Sequence, residues 1–527
     1  MDEANRKLTS AATIVMFATV LSRITGYLRT VLISSLMGPK GYSDEFILAF
    51  TLPDLVYDLL AGGAIAAALI PVLSSYLTKN KEKVGWKAVG TFMNLSVILM
   101  LVLELIFLIW TDGLLGILAP GANDNPNLDK QQIIGLTRIL LLSAPFMMLA
   151  GQCNGVLNAY KRFTAAAFGP VAYNLCTIIS IAAFGSISAE FVSWGIVVSA
   201  AIFFVLAVSA SARHFKMYKP KLYLNSPAFK HLLILAVPSL ISSTILEINL
   251  IISRGTATFM DAGMVTLLQN ANKTWQLPLG IFAQSIGIAL LPTLSEHHAS
   301  DSVDRFKSVM YKGLRVVWLL CIPTALLFII LNQDIMRLLF NWGGQTETDV
   351  FYSGMALMGY AIALIFASTM TILTRSFYAV HDSKIPLFGG VLSIFVNLFF
   401  NYIFQNFTHI GIAGIALSYS ISAFLNMLFL AYLFKRKTGI DIIYDNFSFL
   451  FKTALASVPT GLIAFTLMML IRPGTSKISQ FFTLCVPVAA GLVLFWFVAG
   501  KFKIKEINDI TDMFRSRLKR FIPSAKG

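Results

Sequence analysis

Arg23 and Arg29 lie inside an apolar stretch, roughly residues 12–37, that contains no acidic side chain. An arginine at bilayer depth costs about 2.5–3.5 kcal/mol even on the lenient insertion scale, so such residues face a wet cavity or a partner rather than lipid. At 100° per residue the two are about 120° apart on a helix, with Gly26 midway between them. A missing side chain there leaves room for a ligand to approach the backbone. Guanidinium groups give forked hydrogen bonds to phosphate, and a lysine acts as a point charge, so the chemistry that suits this helix is capture of a pyrophosphate. Asp54 and Asp58 follow one turn apart in the next apolar stretch, near the predicted depths of Arg29 and Arg23, and Lys273 falls at about the depth of Arg29. The expected site is therefore Arg23, Arg29 and Lys273 around an anionic headgroup, with Asp54 and Asp58 compensating charge when it is empty. Buried Arg–Asp pairs can also simply join helices.

The elements that must carry these residues are membrane helices. Hydrophobic residues make up 57% of the 527-residue chain and charged residues 13%, far from the balance of a soluble domain. Fourteen apolar stretches are long enough to span a bilayer at about 20 residues each: approximately 12–37, 44–75, 85–110, 131–157, 164–185, 190–211, 227–255, 263–295, 309–331, 349–378, 384–404, 411–434, 448–471 and 478–500. The first is too long and too arginine-rich for a signal peptide. With both termini inside, Lys and Arg divide 30 to 5 between the two faces, which fixes that orientation. The net charge of +15 is thus a membrane signal, and the basic C-terminal tail is expected to meet anionic headgroups rather than nucleic acid.

The chain repeats itself. AALIPVLSSY (67–76) recurs as IALLPTLSEH (288–297), and Ala159 with Phe168-Gly169 recurs as Ala379 with Phe388-Gly389, at offsets of 221 and 220. Six spans separate each pair, so the halves are parallel repeats, an architecture that places substrate between halves and works by alternating access. The expected fold is an all-α polytopic membrane protein of 14 transmembrane helices: an N-lobe (1–220), a C-lobe (221–437), two extra helices (438–502) and a basic tail (503–527). Cys153, Cys176, Cys321 and Cys485 read as packing residues, Gly151 and Gly155 as a small-xxx-small packing face, and Pro53 and Pro278 as kinks. Glu247 and Arg254 read as structural. No metalloprotease, phosphate-loop, nucleophile-elbow or Cys-x-x-Cys pattern is present, which argues against an enzyme. No soluble domain is large enough to hydrolyse ATP, so the driving force is expected to be an ion gradient, the membrane potential or the substrate gradient, with no cofactor.

Several segments carry a resemblance: SRITGYLR (22–29), SDEFILAFTLPDL (43–55), LAPGA (118–122), GVLNAYKRF (155–163), AFGPVAYNL (167–175), QLPLGIF (276–282), RSFYAVHD (375–382) and GIAGIALSYSISAFLN (411–426). Over spans 1–12 the chain resembles the MurJ (MviN) family of lipid II flippases, in the MOP transporter superfamily, and the extra helix pair is also similar to that family's. The resemblance implies movement of a polyprenyl-pyrophosphate glycan to the outer leaflet of a bacterial cytoplasmic membrane, with the lipid tail in a groove of spans 13 and 14. Partners it implies are lipid II, membrane lipids and cell-wall synthesis proteins. By position, Arg23 and Arg29 match the family's essential arginines, Asp44 its acidic residue at the outer start of the second helix, and Lys273 an arginine of the eighth. Three positions depart: Tyr57 replaces an essential arginine, Thr30 an aspartate and Gln276 a frequent glutamate, so the cavity keeps fewer cations. Asn397 and Asn401 resemble part of a sodium site, without its acidic ligand, and coupling to Na+, H+ or membrane potential stays open. The alternatives are a flippase for another polyprenyl-linked oligosaccharide and a MATE-type drug/cation antiporter; the latter should have an acidic cavity.

Overall fold

A computed structural model describes residues 18, 20–60, 63–343, 345–471, 476–504 and 506–507. The start of the first expected span and most of the basic tail lie outside the described residues. Among those described, the secondary structure is helical: α1 (20–32, continuing as a π-helical segment Ile33–Tyr42), α2 (Ser43–Ala49), α3 (Thr51–Leu60), α4 (Ile70–Thr78), α5 (Glu82–Ile109), α6 (Thr111–Leu118), α7 (Lys130–Leu141), α8 (Ala144–Ala159), α9 (Phe163–Phe184), α10 (Ala189–Ser211), α11 (Pro227–Ala257), α12 (Met264–Pro278), α13 (Ser285–Ala299), α14 (Val303–Ile330), α15 (Asn332–Phe340), α16 (Glu347–Ala379), α17 (Lys384–Phe407), α18 (Ile412–Thr438), α19 (Ile442–Leu470) and α20 (Lys477–Lys501). In hydrocarbon each backbone polar group must be met within the protein, and helices do this locally. Their hydroxyls follow suit: Thr91, Ser96, Thr111 and Thr137 each donate to the carbonyl four residues back.

Among the described residues, eleven helical segments are long and apolar enough to cross a membrane, so the chain is a multi-pass membrane protein. Three further spans are expected from the apolar runs. The first is described only in part. The second is broken into α2, α3, a π-helical segment Ile65–Leu69 and α4. The break falls where Gly63 takes φ +47°, and a Cβ there would stand 2.4 Å from Ser239 Oγ of α11; only glycine meets both demands. The seventh is helical throughout as the 31-residue α11, as expected.

The chain forms two compact units. The first comprises residues 1–270 and 340–349. One of its cores packs Trp86, Val89, Phe92 and Met93 of α5 with Leu69, Val72 and Leu73, and with Ala228, Phe229, Leu232 and Ala236 of α11. Gly151 and Gly155 let α8 approach the π segment, since Cβ atoms there would stand 3.0 and 2.7 Å from Ile65. Gly169 brings α9 onto Phe203 of α10 in the same way, 2.3 Å from a built Cβ. Leu101, Val102, Leu105 and Ile109 of α5 are exposed and form a lipid-facing row.

The second unit comprises residues 271–339 and 350–527. The duplication is visible inside it: Gly389 of α17 seats Asn426 and Leu430 of α18, as Gly169 seats Phe203, and α12 runs into a π-helical segment, Leu279–Gln284, before α13. Pro278 sits at that junction. The extra pair α19–α20 rests on α14, where Gly461 faces Leu326 and Ile330. At one end of α14, Tyr311 donates to the Asp445 carboxylate at 2.7 Å, Lys307 pairs with Asp445 at 2.6 Å, and Arg315 Nε donates to Asn446 at 2.8 Å. Trp318 Nε1 donates to Thr369 across α14 and α16 at 2.7 Å. All four cysteines are free thiols.

Candidate functional site

In the first unit the sequence places its charge on α1, α3 and α11. Arg23 is exposed and Arg29 half-buried on α1. The Arg29 guanidinium stands over the Tyr173 ring of α9, 5.7 Å from its centroid, a cation–π geometry. Gly26 faces Asn174: a Cβ there would stand 3.4 Å from Asn174 Nδ2, which itself donates to the Ser22 carbonyl at 3.1 Å. That is ordinary van der Waals distance, so α9 leaves room for a side chain at Gly26.

Asp54 does not stand alone. Its carboxylate lies 3.8 Å from the Arg254 guanidinium, which is 3.5 Å from Glu247. Two carboxylates therefore flank one guanidinium, and Asp58 follows Asp54 a turn further along α3, within electrostatic range of Asp54 and Glu247. Tyr173 lies within electrostatic range of both Arg29 and Asp54. The seven-residue spacing of Glu247 and Arg254, two turns on one face, was the signal for this pairing. From the sequence alone both read as structural or interfacial, and nothing there connects them to Asp54. Tyr57 turns toward α8, with its hydroxyl 3.4 Å from a Cβ built on Gly151.

Asp44 is 3% exposed and works as a cap donated from another helix. Its carboxylate oxygens accept from Gly263 N and Thr266 N, both at 2.8 Å, and from the Thr266 hydroxyl. A carboxylate at a helix N-terminus meets otherwise unpaired N–H groups and the positive end of the helix dipole. Around it, Ser34 accepts from Asn270 Nδ2 at 2.8 Å and from Gln345. Gly121 N donates to Thr258 Oγ1 at 3.0 Å, and Asn125 Nδ2 donates to the Thr258 and Met260 carbonyls at 2.8 and 2.7 Å. The Ala-Pro-Gly-Ala segment is therefore a fastening for the end of α11.

In the second unit Lys273 is half-buried on α12. Gln276 donates to Asn272 Oδ1 at 2.9 Å, as does Trp275 Nε1, and Trp275 stacks on Tyr360 with ring centroids 5.9 Å apart. On α17, Asn401 Nδ2 donates to Asn397 Oδ1 at 3.2 Å, and both residues are buried. Asn401 Oδ1 has no hydrogen-bond partner. Among the described residues no cluster of three His, Cys, Asp or Glu side chains is placed to hold a metal ion.

Comparison with known proteins bears on what these charges serve. A family model described as lipid II flippase MurJ matches residues 33–489. The probable lipid II flippase MurJ of Rickettsia prowazekii is 30% identical over 422 residues, covering 79% of this chain and 81% of the relative. The lipid II flippase MurJ of Burkholderia cenocepacia is 28% identical over 429 residues, covering 80% and 82%. Among solved structures, a lipid II flippase MurJ in an inward closed conformation aligns with a TM-score of 0.74 at 21% identity, over 93% of this chain and 98% of the other. An inward-facing multidrug resistance MATE family transporter of the MOP superfamily aligns with a TM-score of 0.67 at 14% identity, over 81% and 98%. At these identities the structural likeness speaks for the fold.

Proposed function

We propose that this chain, which belongs to the MurJ family of lipid II flippases, moves lipid II from the inner to the outer leaflet of a bacterial cytoplasmic membrane by alternating access, with both termini in the cytoplasm. It is a transporter, and lipid II is its substrate. The observation that carries the site assignment is the pair of intramembrane arginines on α1, one exposed and one held over Tyr173. Cations in a spanning helix are kept for a task, and a diphosphate is the group on this substrate that repays them.

Arg23 and Arg29 take the pyrophosphate, and Lys273 is proposed as a further cation for the anionic headgroup. Tyr173 holds the Arg29 guanidinium in place through its ring face, so little side-chain freedom is lost when the phosphate arrives. The Asp54–Arg254–Glu247 cluster, with Asp58, supplies negative charge close to Arg29; it compensates the cation when substrate has left and favours release. Asp44 acts as a latch: opening of the outer side requires its carboxylate to let go of the first N–H groups of α12. The polyprenyl tail stays in lipid along α19 and α20. Asn397 and Asn401 offer two neutral amide oxygens, one of them unpartnered, which suit a hard cation as part of a ligand set; Na+, H+ and the membrane potential all remain as driving forces for this cycle.

Complementation tests this reading. The chain and its Arg23→Ala and Arg29→Ala variants, at matched membrane levels, are expressed in bacteria depleted of their own lipid II flippase. Rescue by the wild type alone is the expected result. Rescue by all three removes the arginines from the site, and rescue by none moves the substrate to another polyprenyl-linked glycan.

A further inference from the structure

Next to the Asp44 latch, on the face that the charge bias assigns to the outside, lies an open cleft of about 780 Å³ lined by Tyr42, Glu45, Asn127, Asp129, Lys130 and Gln132, among others. Glu45 is 5% exposed. Its Oε1 accepts from Asp129 N at a long 3.4 Å, while Oε2 has no hydrogen-bond partner. A buried carboxylate left half-satisfied is costly, and it is relieved either by a proton or by a paired cation. The structure withholds the nearest one: Lys130 lines the cleft, but its ammonium is committed to Asp112 at 2.5 Å. The positive end of α7 is also accounted for, because Asp129 Oδ1 accepts from Gln132 N at 3.1 Å. Glu45 and Asp129 therefore leave the cleft acidic, and the exposed ring of Tyr42 stands in its lining.

We propose that this cleft binds a primary ammonium group carried on a small organic molecule or chain, with the Glu45 carboxylate as its principal partner. A bare monovalent ion would need several oxygens converging at once, and the space is far larger than one ion requires. An ammonium needs one strong acceptor, a second carboxylate at longer range and a ring face, and these line the cleft. The site is separate from Arg23 and Arg29 in sign and in ligand, and the proposal holds or fails independently of which glycan the protein moves.

Isothermal titration of the purified full-length protein with cadaverine tests it, with N,N′-diacetylcadaverine as the uncharged analogue and NaCl as the ion control at constant ionic strength. Wild type is expected to bind the diamine and not the diacetyl form, and Glu45→Gln to weaken binding at least tenfold. Asp112→Asn alters no residue of the cleft lining but releases the Lys130 ammonium to compete for the same carboxylates, so it should weaken binding several-fold. It carries the test if Glu45→Gln fails to fold. Equal binding of the acetylated analogue, unchanged affinity in both variants, or displacement of all heat by Na+ overturns the proposal.

Discussion

Asp44→Ala is the substitution whose consequence is best fixed by the geometry. Three donors converge on this carboxylate: Gly263 N, Thr266 N and the Thr266 hydroxyl. An N-cap is worth about 0.5–2 kcal/mol, and a hydrogen bond to a charged group about 1.5–3 kcal/mol. Alanine leaves two backbone N–H groups without an acceptor in a place where Asp44 itself is 3% exposed, so water replaces it poorly. The opening of the α12 N-terminus should become easier by about 2–4 kcal/mol, which at 1.4 kcal/mol per tenfold is roughly 30- to 700-fold faster amide exchange there. Asp44→Asn keeps one acceptor oxygen and should lose about half of that free energy. Thr266→Val removes only the hydroxyl donor and should cost about 1 kcal/mol. Hydrogen exchange followed by mass spectrometry, on peptides covering Gly263 to Thr266 in detergent, reads all three. If exchange in that peptide is the same in Asp44→Ala and wild type, the carboxylate is not the latch and the gating role assigned to it is wrong.

Other expectations follow from single contacts. Gly63→Ala combines a left-handed backbone with a Cβ 2.4 Å from Ser239 Oγ; it should lower the thermal midpoint, and adding Ser239→Gly should recover only the part due to the hydroxyl, because the backbone oxygen of residue 239 stays 3.1 Å from that Cβ and the left-handed backbone keeps its cost of about 1–2 kcal/mol. Tyr173→Phe keeps the ring beneath Arg29 and should retain flipping, whereas Tyr173→Ala should lose about 2- to 30-fold, the range of a cation–π contact; equal rates in the two variants would dismiss the ring's role. The Lys435 hydrogen bond, with the Tyr444 N–H, holds the Asp441 carboxyl below its usual range. A group depressed in the folded state contributes stability that is complete above its unfolded value of about 4 and is lost as pH falls through the folded value. The thermal midpoints of wild type and Asp441→Asn should therefore differ by a constant amount above about pH 5 and converge in acid.

How far the sequence reached depended on whether a property is local. Span positions came from apolar runs, and the exceptions were segments where tertiary contacts decide. Nothing in 44–75 announces that Gly63 must fit under Ser239, so the run read as one helix when it is a broken one. The repeat, found in two short matches, reappears as glycine-mediated pairs at Gly169 and Gly389 and as π-helical turns in each half. For the site, residue type and spacing identified Arg23, Arg29 and Asp54 as charges needing partners, and the family resemblance added Asp44, but partners are a matter of packing between distant segments. Arg254 for Asp54, Tyr173 for Arg29 and Thr266 for Asp44 lie between 144 and 222 residues away in sequence, and no periodicity reports such distances. Gly26, which spacing placed between two cations, faces Asn174 at ordinary contact distance.

The central claim is that this protein delivers lipid II to the outer leaflet through the arginines of α1. Its most direct test is the fraction of radiolabelled lipid II open to an externally added, membrane-impermeant lipid II hydrolase. It is measured in cells whose own flippase has been shut off and which express this chain or its Arg29→Ala variant at equal levels. Wild type should restore cleavage to that of unshut cells, and Arg29→Ala should leave the label protected. Protected label with the wild type, or equal cleavage with both, would contradict the account.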